Sequence, residues 1–280
     1  MKSLKPRLLT AVIGIPALLL IMFASVYLTP IIAVIVVGAA AAFMTGEYLH
    51  ADNLLKVYPL SIPCMLVAFS VPLLVTTQYI RYIYLLIFAA ILICFFVIVV
   101  CHKRLSYQDL AYSLFGTFLI TFGISAIAML CVDKRTVVFY FVLVFLLPWM
   151  ADAGGFFIGA SFGKHKLCPS ISPKKTVEGA IGGVIFSVLS AVAMGLLFQY
   201  VFMPDCSINF IALIIMGIID APLSILGDLS FSLIKRSLNI KDYGSIFPGH
   251  GGMLDRCDSI IFTAPAIIIV GQFMPFITMG

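Results

Sequence analysis

The stretch SLIKRSLNIKDYGSIFPGHGGMLDRCDS, from Ser232 to Ser259, gathers the side chains that handle phosphate and divalent metal. Lys235, Arg236 and Lys241 are cations of the kind that neutralise phosphate oxygens, Arg bidentately. Pro248-Gly249-His250-Gly251-Gly252 is a loop in which glycine permits positive φ, so successive N–H groups can converge on an anion. Asp255 and Asp258 flank Arg256, and hard carboxylate oxygens suit Mg²⁺, which completes its shell with water and substrate phosphates. A glycine loop alone is usually a turn, and basic residues alone follow from membrane topology. Their coincidence within 27 residues points to a polyphosphate and metal site. Upstream, Asp220, Ser224, Asp228, Ser232 and Arg236 are spaced by four, a polar row along one helix that winds slowly round it.

A second polar segment begins at Asp152. Lys164, His165 and Lys166 follow a Gly-rich stretch, then come Ser172-Pro173-Lys174-Lys175-Thr176, Glu178 and Gly179. Pro173 fits the first turn of a helix with Ser172 as its N-cap, and a helix N-terminus beside lysines attracts anions. His165, between two lysines, reads as solvated. No HxxxH or HExxH pattern is present, and the seven cysteines form no CxxC pair. Most of them lie in or beside apolar runs, where Cys acts as a small hydrophobe.

The elements that must position these residues are membrane helices. The chain has 280 residues, 62% apolar and 10% charged. A soluble domain is nearer 45–50% apolar and about 25% charged. A soluble enzyme, a disordered chain and a disulfide scaffold are thereby excluded. Nine apolar runs approach the ~20 residues that span a bilayer. They lie near 8–28, 30–49, 57–77, 80–101, 110–131, 136–158, 178–201, 208–233 and 258–278. They do not alternate as barrel strands do, so they read as helices. The first is too long for a signal-peptide core of about 7–15 residues and reads as a retained span.

With the N-terminus in the cytoplasm, nine crossings leave 14 of the 17 Lys and Arg residues inside, which satisfies the positive-inside rule. The net charge of +5 then reflects topology and not a nucleic-acid partner. Segments 152–178 and 228–258 hold 14 of the 29 charged residues, and both fall on the cytoplasmic side. The expected fold is therefore an all-α polytopic membrane protein, N-in and C-out. Residues 1–135 supply about five spans. Residues 136–280 supply about four more and carry the polar loops 152–178 and 228–258.

The residues Ser232, Lys235, Arg236, Lys241, Asp242, Gly244, Pro248, His250, Gly251, Gly252, Asp255, Arg256 and Asp258 resemble the signature of the phosphatidate cytidylyltransferase (CDP-diacylglycerol synthase) family, bacterial type. Cys257 replaces the usual aliphatic residue or Thr. Asp152, FGKHKL at 162–167 and SPKKTxEG at 172–179 are similar to the family as well, with Val177 where Trp is usual. The likeness is clear over residues 149–260.

It implies that CTP and phosphatidate give CDP-diacylglycerol and pyrophosphate, with Mg²⁺, at the inner face of a bacterial cytoplasmic membrane. It leaves open one divalent ion or a pair of mixed cations, and it implies a homodimer. By the resemblance and the residue types, Asp228 and Asp255 are metal ligands, with Asp152 and Asp258 behind them. Lys235, Arg236, Lys241 and His250 join Asp228 and Asp255 in catalysis. Ser172, Lys174, Lys175, Thr176, Arg256, Gly251 and Gly252 contact substrate. The rival readings are a membrane transporter or channel, because intramembrane carboxylates also mark ion paths, and an enzyme like the CDP-alcohol phosphotransferases. The polar residues cluster at one face and trace no route across, and the spaced Asp pattern with DG and AR pairs of the second rival is missing.

Overall fold

The computed structural model describes residues 29–246 and 251–279. Over them the chain is an all-α polytopic membrane protein: eight α-helices and two short antiparallel strand pairs. The helices are α1 (Ile31–Ala51), α2 (Tyr58–Val75), α3 (Tyr82–Val100), α4 (Tyr107–Leu130), α5 (Val137–Phe162), α6 (Val177–Leu197), α7 (Phe210–Ser237) and α8 (Leu254–Phe273). Strands β1 (Lys166–Cys168) and β2 (Ser172–Thr176) pair with each other, as do β3 (Cys206–Ile208) and β4 (Ile277–Met279). Helices α1 to α7, with α6 prolonged to Phe202 by a π turn, are long and apolar enough to cross a membrane. Each coincides with one expected run. The run at 8–28 lies outside the described residues. The run at 258–278 falls on α8, which starts four residues earlier. Asp255, Arg256 and Asp258 are therefore helical residues in its first turns.

The described residues form two compact units. The first takes in those up to Val137 together with those of Ser237–Cys257. Within it α1, α2 and α4 pack on one another and α3 packs along α2. Only Ala90, Cys94 and Val97 of α3 are buried, a stripe at helical spacing, while Tyr84, Phe88 and Phe96 face outward. Such a helix suits a lipid-facing position, because lipid is as apolar as its own side chains. Helix α4 opens with a capping box in which the Ser106 hydroxyl accepts from Asp109 N and the Asp109 carboxylate accepts from Ser106 N.

The second unit takes in Val138–Arg236 and the described residues from Asp258 onward. Here α5 and α6 approach through small residues. A Cβ on Gly154 would sit 2.5 Å from the Gly182 carbonyl oxygen, and one on Gly179 would sit 2.7 Å from that of Gly155. Close backbone approach of this kind is how membrane helices gain packing without a hydrophobic drive. Helices α7 and α8 meet at Gly227, where a Cβ would lie 2.6 Å from the Asp258 carbonyl oxygen.

The start of α6 departs from the expected cap. Ser172 is not its N-cap and Pro173 is not in its first turn. Antiparallel pairing of Lys166 with Thr176 and of Cys168 with Ser172 holds residues 172–176 extended. The N-cap is Thr176, whose hydroxyl accepts from Gly179 N at 3.1 Å. Pro173 is tolerated in this short two-stranded hairpin, where a missing N–H costs little. Glu178 ties down the preceding loop: its carboxylate accepts from His165 N and pairs with His165 Nδ1 at 2.6 Å. His165 is thus exposed but partnered.

Thr176→Ala is expected to lower stability by about 1 kcal/mol, whereas Thr176→Ser should retain it, because only the hydroxyl caps. Thermal unfolding in detergent checks this, and equal melting of Ala and Ser variants would remove the cap from the account.

Candidate active site

In the second unit the row on α7 runs from an interior carboxylate to a half-buried one. Asp220 is fully buried and its Oδ2 accepts from Ser187 Oγ on α6 at 3.2 Å. Two turns on, Asp228 is reached from two sides. Ser232 Oγ donates to its Oδ1 at 3.3 Å, as the spacing of four allows, and Lys175 Nζ pairs with its Oδ2 at 2.6 Å. Lys175 arrives from β2, so the hairpin that displaces the expected cap also delivers a cation to α7. Lys235, a turn past Ser232, is buried, whereas Arg236 is exposed.

Asp258, buried on α8, accepts from Ser259 N at 2.8 Å and lies within the fields of Asp228, Lys235 and Asp152. Asp152 projects from α5 and is exposed. The unit thus collects three carboxylates, Asp152, Asp228 and Asp258, with two ammonium groups, Lys175 and Lys235. Lys174 is exposed on β2, Ser172 is half-buried there, and Thr176 is buried, its hydroxyl accepting from Gly179 N.

The first unit holds the signature loop and the start of α8. Asp255 Oδ2 accepts from Tyr243 N at 2.8 Å and from Gly252 N at 2.9 Å, which fixes how the carboxyl is turned. Gly251 has φ +82°, in the left-handed region where side chains are strained. The Gly252 N–H serves Asp255. Lys241 and Arg256 are exposed. His250, with Pro248 and Gly249, lies outside the described residues. Behind the loop Tyr48 stacks on Tyr112 at 4.1 Å and on Tyr243 at 6.0 Å. Just past α1, Asp52 is held above the ordinary carboxylate range, first by burial and second by the negative charge of Asp109.

Sequence reasoning passes over one buried charged side chain here, Glu47. It is the one charged residue of α1, and its carboxylate accepts from Met253 N and Leu254 N. The signal was available: charge inside an apolar span is costly and marks function.

Among the described residues, no three His, Cys, Asp or Glu side chains form a group that could hold a metal. Mg²⁺ asks for less. It takes one or two carboxylates and fills the remaining positions with water and phosphate oxygens. The donors present are hard oxygens, and three carboxylates against two lysines favour an added cation. The residues fit Mg²⁺ bound together with a phosphate substrate.

The chain matches the cytidylyltransferase family model over residues 5–274. It is 37% identical over 172 residues to a phosphatidate cytidylyltransferase of Staphylococcus haemolyticus, covering 61% of this chain and 63% of that protein. It is 33% identical over 275 residues to that of Staphylococcus saprophyticus, covering 95% and 98%. It is 36% identical over 173 residues to that of Staphylococcus aureus, covering 61% and 63%. The chain thus spans just under two thirds of the first and third relatives and nearly all of the second.

Proposed function

This chain belongs to the cytidylyltransferase family, and we propose that it transfers the cytidylyl group of CTP to phosphatidate, giving CDP-diacylglycerol and pyrophosphate for phospholipid synthesis. The observation that carries this reading is the ion pair of Lys175 with Asp228 on α7, a helix long and apolar enough to cross a membrane, with Asp152, Asp258 and Lys235 in the same unit. A phosphate oxygen of phosphatidate attacks the α-phosphorus of CTP. The bond from that phosphorus to the β-bridging oxygen breaks, and pyrophosphate leaves with the electron pair. The attacking group is already anionic, so the work left to the protein is positioning and charge neutralisation.

Lys175 and Lys235 neutralise phosphate oxygens within the second unit, where Lys174 and Arg236 are exposed cations. Lys241 and Arg256 are exposed cations of the first unit. Asp228, with Asp152 and Asp258 behind it, would hold Mg²⁺; Asp255 is a carboxylate of the same kind in the first unit. When bound, Mg²⁺ supplies charge stabilisation for the phosphoryl oxygens and the leaving group. We place nine crossings in the bacterial cytoplasmic membrane, N-in and C-out, with the site facing the cytoplasm. The bias of Lys and Arg toward one side supports this. One substrate is lipid-anchored and the other cytosolic, so an inner-face site meets both.

The test uses purified protein in detergent micelles with phosphatidate and CTP labelled on the α-phosphate. Label should enter the lipid phase with Mg²⁺ and fall to background with EDTA, and the released product should be pyrophosphate. Release of CMP would instead indicate a phosphotransferase. No lipid label from folded protein with accessible phosphatidate would overturn the reading.

A further inference from the structure

We propose that Glu47 is a positioning residue for this transfer: from near the C-terminal end of α1 it sets the backbone from which Asp255 projects. The inference rests on the function proposed above. Glu47 is buried, with 8% of its surface exposed, in an α1 that carries no other charged side chain. A carboxylate buried in such a helix is expensive unless its oxygens are hydrogen-bonded.

Both oxygens are engaged. Oε1 accepts from Met253 N at 3.1 Å and Oε2 accepts from Leu254 N at 2.8 Å. These N–H groups belong to the start of α8, where a helix has no internal acceptors for its first donors. The positive end of the helix dipole favours a carboxylate there. The cap therefore comes from Glu47, 206 positions before Met253 and 207 before Leu254, instead of from the preceding turn.

Two glycines of the signature make room for it. A Cβ on Gly244 would collide with Glu47 Oε1, and one on Gly252 would lie 2.6 Å from Oε1 and 2.7 Å from Oε2. Gly252 then turns its N–H to Asp255 Oδ2, the atom that also accepts from Tyr243 N. Residues 252–255 are thus gripped by Glu47 on one side and present Asp255 on the other. If the grip on Met253 and Leu254 shifts, Asp255 shifts with it. This gives the otherwise apolar N-terminal helices a part in the chemistry.

The experiment compares the full-length wild type with Glu47→Gln, which keeps the volume but places an amide N–H₂ against a backbone donor. We expect kcat for lipid labelling to fall about 30-fold with a much smaller change in the KM for CTP, because misplacement of a reacting group costs turnover. The Mg²⁺ concentration for half-maximal rate should rise about fivefold as Asp255 is misdirected. The melting temperature should hold. Hydrogen exchange should speed by at least about tenfold in peptides covering 251–257 and stay unchanged in α7.

Wild-type kcat and Mg²⁺ dependence in the variant would overturn the proposal. So would a loss of activity that tracks a lowered melting temperature and faster exchange throughout, since that is a purely structural role. If Glu47→Gln does not purify folded, Glu47→Asp replaces it: the charge stays, one methylene is lost, and a normal Mg²⁺ half-saturation overturns the proposal equally. If the wild type itself labels no lipid, the proposed function falls and this role falls with it, while exchange at 251–257 still reports whether the grip exists.

Discussion

Asp255→Asn is expected to cut Mg²⁺-dependent lipid labelling by about 10³-fold while leaving the protein folded in the membrane fraction, the scale on which a preorganised charge contributes to catalysis. The substitution separates two jobs of one side chain. Asp255 Oδ2 accepts from Tyr243 N and Gly252 N, which orders the loop against the start of α8. Asparagine keeps the size and one oxygen that can accept both bonds, so the loop has what it needs to stay ordered. What is lost is the negative charge and the second hard oxygen. A drop in turnover with unchanged melting would therefore assign the loss to chemistry. Normal turnover in Asp255→Asn would remove Asp255 from the metal and catalytic assignment.

The second large effect is at Asp228. Asp228→Asn should also lower turnover by about 10³-fold, because a carboxylate ligand becomes a neutral amide. It differs from Asp255 in what it leaves behind. Lys175 Nζ lies 2.6 Å from Asp228 Oδ2, and both side chains are only partly exposed. Without its counter-ion the ammonium seeks other partners, including substrate phosphate. A double-mutant cycle with Lys175→Met measures this coupling. If Lys175 serves substrate through its pairing with Asp228, the double variant should be little worse than Asp228→Asn alone. Additive losses would mean that the two residues act separately, and full activity in Asp228→Asn would sink the metal assignment for that residue.

Different parts of the molecule were legible in the sequence for different reasons. The crossing helices were readable because lipid imposes a length and an apolar composition, and these are properties of contiguous residues. The seven runs from 30 to 233 appear as α1 to α7 with ends shifted by a few residues. The α7 row was readable because a spacing of four places Asp228 and Ser232 side by side, and they are hydrogen-bonded at 3.3 Å. The start of α6 misled because Ser172-Pro173 satisfies the local rule for a cap. Pairing with β1, set by a turn and a partner strand, is not visible in that dipeptide. Thr176 satisfies the same rule and wins because residues 172–176 are held extended.

The sequence by itself determined that this is a polytopic helical membrane protein and that its candidate phosphate-handling residues fall in two short segments, because hydropathy and signature spacing are written along the chain. Only the tertiary structure decided which partners those residues meet. It placed Lys175 on Asp228 and put Glu47, from an apolar helix, under the backbone of Met253 and Leu254. It also showed that the small size of Gly244 and Gly252 answers to that carboxylate. The reason is physical: a buried charge must be satisfied by whatever donor the fold brings near, and such donors can lie 200 residues away, where no local pattern records them.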